Sequence, residues 1–319
     1  MTSIETRTIG SLSVSVVGIG CNNFGSRIDE ARSKEVVNAV FDSGINFFDT
    51  ADMYGDGLSE EFLGRALGAR RGEVVIATKF GNEMEGHAGG ARPEYIKRAA
   101  DASLRRLGTD YIDLYQLHLP DPTVPIADTL GALDELVKAG KVREIGCSNF
   151  SVGQLRDANA VSAAIPGSAR FVSVQNEYSL LHREPEEDGV LAESKRLGLA
   201  FLPFFPLKSG LLSGKYRKGG AIPSGTRVAN FDRYRRLLTE ENLELVERLI
   251  AYASGHGRTL LELAVSWLLA YRQVASVIAG ATSASQVQAN ASAAGWRLGD
   301  TDLDEIDQVL RGAASAANR

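Results

Sequence analysis

Four side chains that could carry out proton transfer occur at the ends of apolar, strand-like segments. Asp49 and Tyr54 come after "INFF", Lys79 ends "EVVIATK", and His118 follows "YIDLYQL". A free phenol has a pKa of about 10, so a tyrosine is a poor acid–base catalyst near neutral pH unless its surroundings help. A lysine ammonium would lower the pKa of Tyr54, and a carboxylate such as Asp49 would keep that lysine charged and oriented. His118 would then be free to hydrogen-bond a substrate oxygen.

Each of these residues also has a purely structural explanation. Asp49 could cap the following turn, Tyr54 could be an ordinary loop aromatic, and His118 could be a hydrogen-bonded core histidine. Lys79 is harder to explain in this way, because a lysine buried at the end of a strand needs a carboxylate partner. The chemical interpretation is favoured because unrelated structural roles would not all fall at strand ends.

The elements that would position these residues are eight β-rich segments that alternate with amphipathic helical segments. The β-rich segments are residues 15–20, 45–50, 73–79, 111–117, 142–148, 171–175, 199–204 and 274–280. Near-continuous apolar strands joined by helices are typical of a parallel sheet covered on both faces. Eight such units without a linker predict an α/β fold, a (β/α)8 TIM barrel, with residues 1–319 forming a single domain. In such barrels the functional groups lie at the C-terminal ends of the strands.

Two further segments fall outside the repeating pattern. "TRTIGSLSVS" is typical of a small β-hairpin ahead of the first barrel strand. Residues 205–242 form a long loop after strand seven, rich in Gly, Lys and Arg, and loops of this length are usually functional or disordered. Substrate contacts are expected from residues 81–94, from the turn after His118 and from residues 230–234, but the sequence does not identify the substrate.

Composition narrows the class of protein. With 319 residues, 44% of them hydrophobic, and a net charge of -5, the chain has ample core material and no basic field for nucleic acid or anionic membranes. Its longest apolar stretches are far shorter than the roughly 20 residues that span a bilayer. "MTSIETRTIG" lacks the apolar region of a secretory signal, so a cytoplasmic location is expected. The two cysteines and four histidines are scattered, so no metal site is predicted, and a monomer is the default.

The sequence resembles the aldo-keto reductase superfamily, in the branch that contains bacterial members and channel β subunits. The resemblance runs from the hairpin to about Asn290 and rests on "GINFFDTADMYGDGLSEEFLGRAL", "VVIATKF", "SLRRLGTDYIDLYQLHLPD", "ELVKAGKVREIGCSNFS", "SVQNEYSLL", "PLKSGLLSGKY" and "IAGATSASQVQAN". It implies an NADP(H)-dependent reductase of aldehydes, ketones, sugar aldehydes or α-dicarbonyls. The catalytic residues that it implies are Asp49, Tyr54, Lys79 and His118.

The same resemblance implies a set of cofactor contacts. Ser148, Asn149 and Gln175 should bind the nicotinamide carboxamide, and Phe204 should stack on the nicotinamide ring. The pyrophosphate contacts are expected at Leu207, Ser209 and Lys215, and the adenosine contacts at Gly280, Thr282, Gln286 and Asn290. Further contacts are implied at Cys21, Asn22, Asp49, Phe205, Pro206 and Gly210.

Selectivity for NADP over NAD is expected to depend on Arg227. In one branch of the superfamily this position meets the adenosine 2′-phosphate, and a guanidinium fork suits such a group. In another branch the last strand leads into Lys-Ser with a downstream Arg, and here those positions are Gly280, Ala281 and Gln286. The unusual segment "GCNNFG" could in addition present Asn22 and Asn23 to the substrate.

Four other functions are compatible with parts of the sequence. "GIGCNN" is a weak match to the dinucleotide fingerprint of Rossmann dehydrogenases, because its third glycine position is Asn23. Asp49 with Glu177 could be the carboxylate pair of a barrel glycosidase, but Lys79 argues for a permanent ion pair. A metal-dependent hydrolase would need clustered histidines. A non-catalytic, NADPH-sensing regulatory subunit is the most serious alternative, and the presence of His118 favours an enzyme over it.

Overall fold

The computed structural model of the protein describes residues 4–84 and 89–316. Residues 85–88, inside the loop expected to contact substrate, lie outside that range. The described chain starts with an antiparallel hairpin of β1 (Thr6–Ile9) and β2 (Leu12–Ser15), as the sequence predicts. The turn needs a glycine, because Gly10 has a φ of 57° and a Cβ there would lie 2.6 Å from the Glu144 carboxylate, which accepts the Ser11 N–H.

Within the described residues, eight parallel strands form a nearly closed barrel. They are β3 (Val17–Gly20), β4 (Phe47–Asp49), β5 (Val75–Phe80), β6 (Ile112–Leu117), β7 (Val142–Ser148), β8 (Phe171–Glu177), β9 (Ala200–Phe204) and β10 (Val277–Gly280). The sheet order is β10-β3-β4-β5-β6-β7-β8-β9. Phe201 joins the two edges, because its N–H donates to Gln273 O at 2.7 Å and its carbonyl accepts from Ala275 N at 3.1 Å. The predicted TIM barrel is therefore confirmed.

Helices surround the barrel, and two short ones, residues 227–230 and 232–235, belong to the long segment after β9. The helices are α1 (Glu30–Asp42), α2 (Leu58–Leu67), α3 (Pro93–Leu107), α4 (Ile126–Lys138), α5 (Val152–Ala163), α6 (Glu184–Glu187), α7 (Val190–Leu197), α8 (Arg227–Asn230), α9 (Asp232–Arg235), α10 (Glu240–Gly255), α11 (Leu260–Ala270), α12 (Ala284–Ser292) and α13 (Asp300–Ala316). Capping boxes start two of them, with Ser151 and Gln154 at α5 and Thr259 and Glu262 at α11. None of the helices in the described range is long and apolar enough to cross a membrane.

The apolar core has two parts, which explains why the strands are apolar on both faces. Phe48 and other outward-facing strand residues pack under the helices in the larger cluster. Phe47, Leu114 and Leu202 point into the barrel, where they meet Leu12 of the hairpin. The hairpin therefore closes the N-terminal end of the barrel and leaves the C-terminal end for function.

The long segment after β9 is ordered and packed. It contains a 3-10 turn (Lys208–Ser213), α8 and α9, and it is anchored by the buried side chains Leu211, Tyr216 and Val228. Two full helices, α10 and α11, follow before β10, where a simple strand–helix repeat would have one. The predicted long loop after strand seven is confirmed, and it lies at the C-terminal end of the barrel.

Candidate active site

Lys79 and Asp49 form a buried ion pair inside the barrel mouth. Asp49 of β4 is in register with Ala77 of β5, so Lys79 follows two residues later on the same, inward face. The Lys79 Nζ atom lies 2.6 Å from Asp49 Oδ1 and also donates to Thr50 O at 2.9 Å. The lysine side chain is 0% exposed and that of Asp49 is 4% exposed. Burial is the largest single influence on the pKa of Lys79 and lowers it, but Asp49 and Tyr54 together outweigh burial and the pKa is raised.

The second Asp49 oxygen is held by amides. Gln175 of β8 donates from Nε2 to Asp49 Oδ2 at 2.8 Å, and Gln116 of β6 donates to the same atom at 3.4 Å. Gln116 was not predicted as a site residue. It lies two positions before His118, so the period of two of a strand would have placed it on the inward face.

Tyr54 and His118 lie beside the ion pair. The Lys79 Nζ atom is 5.2 Å from the centre of the Tyr54 ring. The rings of Tyr54 and His118 are 5.9 Å apart and nearly perpendicular. The turn that carries Tyr54 is tied to β5, because the Asp52 N–H donates to Lys79 O at 3.0 Å. The structure therefore brings together all four residues that the sequence analysis selected.

Burial shifts the pKa values of both Tyr54 and His118. Burial raises the pKa of Tyr54 above its ordinary value, and the opposing effect of Lys79 does not reverse it. The expectation of a lowered pKa is therefore wrong for this state, because desolvation of the phenolate outweighs the ammonium. Burial, assisted by Lys79, lowers the pKa of His118 to about 3, so its imidazole is neutral at pH 7. Its buried Nδ1 has no hydrogen-bond partner among the described residues, which favours a proton on Nε2.

The predicted nicotinamide contacts lie on β7 and β8 next to these rings. Ser148 Oγ donates to Gln175 O at 2.7 Å, and the Asn149 N–H donates to the same carbonyl at 3.0 Å. Asn149 has a φ of 61° and its Nδ2 donates to His118 O at 3.0 Å. Phe204 ends β9 and is only partly buried, so its ring is accessible. Gln175 thus links Ser148 and Asn149 to Asp49, and Asn149 links them to His118.

The predicted phosphate contacts lie in the segment after β9. Phe205, Lys208 and Ser209 have positive φ values of 50°, 41° and 56°, which non-glycine residues rarely adopt. A Cβ on Gly210, whose φ is 100°, would lie 3.1 Å from the Lys215 Nζ atom. Leu207 is partly exposed and Pro206 is buried. The backbone therefore folds into a tight turn beside Lys215.

The predicted adenosine contacts lie at the end of β10, in the loop that follows it and along α12. The Thr282 N–H donates to Gln286 Oε1 at 2.8 Å. Asn290 is buried, and its Nδ2 has no acceptor among the described residues. Gly280 lies against the loop after β3, since a Cβ there would be 3.5 Å from Asn22 Oδ1. Arg227 reaches the same loop, where its Nη2 lies 3.4 Å from Asn22 Oδ1.

Two residues of the loop after β3 are buried. Cys21 is fully buried, its N–H donates to Asp49 O and its carbonyl accepts from Ser59 Oγ, and the cofactor contact implied for it stays a prediction. Asn23 is 2% exposed and does not face a substrate. Its Nδ2 donates to Ala281 O at 3.3 Å and its Oδ1 accepts from Arg227 at 2.9 Å. It therefore ties the loops after the neighbouring strands β3 and β10 to the long segment after β9.

Comparison with known proteins decides the family. A sequence model described as "Aldo/keto reductase family" matches residues 16–311. The chain belongs to this family. Reduction of carbonyl compounds with NAD(P)H is the general activity of aldo/keto reductases, and this protein is an oxidoreductase of that type.

Relatives of this aldo/keto reductase cover nearly its whole length. "Aldo-keto reductase yakc [NADP(+)]" of Schizosaccharomyces pombe is 36% identical over 98% of this chain and 93% of its own. A "Probable voltage-gated potassium channel subunit beta" of Arabidopsis thaliana is 35% identical over 94% of both chains. The solved structure of "aldo-keto reductase AKR11C1 from Bacillus halodurans (holo form)" has a TM-score of 0.78, 34% identity and 96% coverage of both chains.

A buried acid, Asp52, lies in the turn that carries Tyr54, and the sequence analysis assigned no role to it. Asp52 is 1% exposed, its Oδ1 accepts the Met53 N–H at 2.7 Å, and its Oδ2 has no partner within the described range. Glu60 is close enough to repel it and is itself held by Arg106 at 2.7 Å and Thr78 at 2.5 Å. Burial, and then Glu60, raise the pKa of Asp52 to about 7.

We expect Asp52→Asn to change how stability depends on pH. Between about pH 4 and 7 the unfolded chain has lost the Asp52 proton while the folded protein keeps it, so the free energy of unfolding falls by about 1.4 kcal/mol per pH unit. This stability is fully present below the unfolded pKa and is lost as the pH rises through the folded pKa of about 7. Urea denaturation at pH 5, 6 and 7 measures the free energy of unfolding of both proteins. The stability of Asp52→Asn relative to the wild type should increase as the pH rises. If the free energies of unfolding of the two proteins changed with pH in the same way, the raised pKa of Asp52 would be contradicted.

Proposed function

We propose that this protein reduces aldehydes or ketones to alcohols with NADPH, and that Tyr54 gives the proton to the substrate oxygen. The observation that carries the proposal is the buried contact of 2.6 Å between Lys79 and Asp49, with Tyr54 directly over the lysine. An ion pair that costs desolvation energy at the open end of a barrel is better explained by chemistry than by stability. The bound nicotinamide would supply the hydride that goes to the carbonyl carbon.

The raised pKa of Tyr54 suits a proton donor. Because the phenol stays protonated at neutral pH, it can give its proton to the developing alkoxide oxygen. Lys79 then stabilises the phenolate that remains, and Asp49 keeps Lys79 charged and in place. The neutral His118 would donate from Nε2 to the carbonyl oxygen and so orient the substrate.

The residues of the long loop fit the phosphates of a dinucleotide. Desolvation and neighbouring cations lower the pKa values of Lys215 and Arg227, and neither side chain forms an ion pair with an acid in the described part of the chain. The buried Asn290 has an unused amide donor at the proposed adenosine end. The accessible Phe204 ring would stack on the nicotinamide, while Ser148, Asn149 and Gln175 would orient its carboxamide.

Arg227→Ala should weaken NADPH binding about tenfold or more and change NADH binding much less, because the two cofactors differ only at the 2′-phosphate. Fluorescence titration of both cofactors measures the two dissociation constants. Equal losses for NADPH and NADH would remove the assignment of Arg227 to the 2′-phosphate.

The activity is tested by following NADPH absorbance with a panel of aldehydes, ketones, sugar aldehydes and α-dicarbonyls. We expect turnover with at least one class. Tight NADPH binding without turnover on any substrate would instead support a cofactor-sensing regulatory subunit, because binding alone does not separate the two functions.

A further inference from the structure

Three cations, Arg27, Lys215 and Arg227, form a cluster at the proposed phosphate end of the cofactor site. The pKa of Lys215 is lowered first by desolvation and then by the charges of Arg27 and Arg227. The pKa of Arg227 is lowered in the same way, with Arg27 among the causes. Arg27 lies in the loop after β3, so the cluster joins that loop to the long segment after β9.

Among the residues that the structure describes, the two arginines of this cluster donate hydrogen bonds only to uncharged groups. Arg27 Nη2 donates to Gly225 O at 3.0 Å, and its Nη1 lies 3.5 Å from Asn23 Oδ1. The same Asn23 oxygen accepts from Arg227 Nη2 at 2.9 Å. Two guanidinium groups therefore converge on one carboxamide oxygen that carries no charge to offset theirs.

Arg106 and Arg183, which are also partly buried, are by contrast paired with acids. Arg106 binds the buried Glu60 at 2.7 Å, and Arg183 binds Glu186 at 2.6 Å and Asp307 at 2.5 Å. Within residues 4–84 and 89–316, no aspartate or glutamate forms an ion pair with any member of the cluster. Convergent cations without acids are the arrangement that binds an external anion.

The geometry points to Arg27 as a second guanidinium for the adenosine 2′-phosphate, facing Arg227 across it. This inference rests on the proposed function and adds a specificity residue to it. Lys215 lies against the Gly210 turn, where the pyrophosphate is expected, which leaves the two arginines for the remaining phosphate. Asn23, which both contact, donates to Ala281 O beside Thr282 and so places them at the adenosine end. A phosphate monoester has three acceptor oxygens, enough for two guanidinium forks.

The test compares Arg27→Gln with the wild type in the full-length protein. Gln removes the charge and keeps an N–H donor, but its shorter side chain gives up the contact that Arg27 Nη2 makes with Gly225 O. We expect the affinity for NADPH and for adenosine 2′-monophosphate to fall about tenfold or more, and the affinity for NADH and for adenosine 5′-monophosphate to change less than about twofold. Isothermal titration calorimetry measures all four, and none of them requires turnover. Arg27→Lys should recover part of the loss.

Arg65→Gln is the matched control, since it removes the same charge from an arginine already paired with Glu30 at 2.7 Å. It should leave all four affinities unchanged. Tight NADPH binding by the wild type with no loss in Arg27→Gln, or equal losses for NADPH and NADH, would overturn the role of Arg27 alone. Failure of the wild type to bind either dinucleotide would overturn the proposed function instead.

Discussion

Replacing Tyr54 with Phe is expected to lower kcat for carbonyl reduction by a factor of about 100 to 10,000, which is the usual contribution of a positioned general acid. The change deletes one oxygen and keeps the ring that lies over Lys79 and against His118. NADPH binding should therefore stay within about twofold of the wild type, since the lost group contacts the substrate. Single-turnover measurements with saturating NADPH separate the chemical step from cofactor binding.

The pH profile supplies the control for this variant. Because burial raises the pKa of Tyr54, kcat for reduction by the wild type should not fall through ionisation of Tyr54 in the neutral pH range. The residual activity of Tyr54→Phe should not follow the same ionisation at high pH. Unchanged turnover in Tyr54→Phe would rule out the tyrosine as the proton donor, whatever the NADPH affinity.

Asp49→Asn should be the most destabilising of the conservative changes in the site. It leaves the ammonium of Lys79, which is 0% exposed, without a carboxylate, and breaking one side of a buried pair costs about 3–5 kcal/mol. Lys79→Met should cost less, because Asp49 Oδ2 still accepts from Gln175 at 2.8 Å and from Gln116 at 3.4 Å. Both variants should lose nearly all activity. Urea denaturation and NADPH turnover measure the two effects.

The double variant Asp49→Asn with Lys79→Met completes the cycle. Removing both charges removes the unpaired one, so the double variant should be more stable than Asp49→Asn alone and still inactive. If the two single losses of stability simply added up, the two residues would not be coupled, and the ion pair would not be the feature that positions Lys79.

The barrel could be predicted because each strand is apolar on both faces. Phe47 and Phe48 show why, since one fills the barrel interior and the other packs under the helices. The proximity of Asp49, Tyr54, Lys79 and His118 followed from the same pattern, because the C-terminal ends of parallel strands meet at one mouth. The same reasoning could have placed Gln116 at the mouth, because it lies two positions before His118, but it was not predicted.

The sequence by itself determined the eight-stranded fold and the four residues at its mouth, because hydrophobic period and strand polarity are local properties of the chain. Only the tertiary structure decided that the pKa of Tyr54 is raised rather than lowered, and that the pKa of Asp52 is raised as well. It also decided that Cys21 and Asn23 are buried and that Arg27 stands beside Arg227. Desolvation and the charges of neighbours depend on segments far apart in the sequence, so no local pattern encodes them.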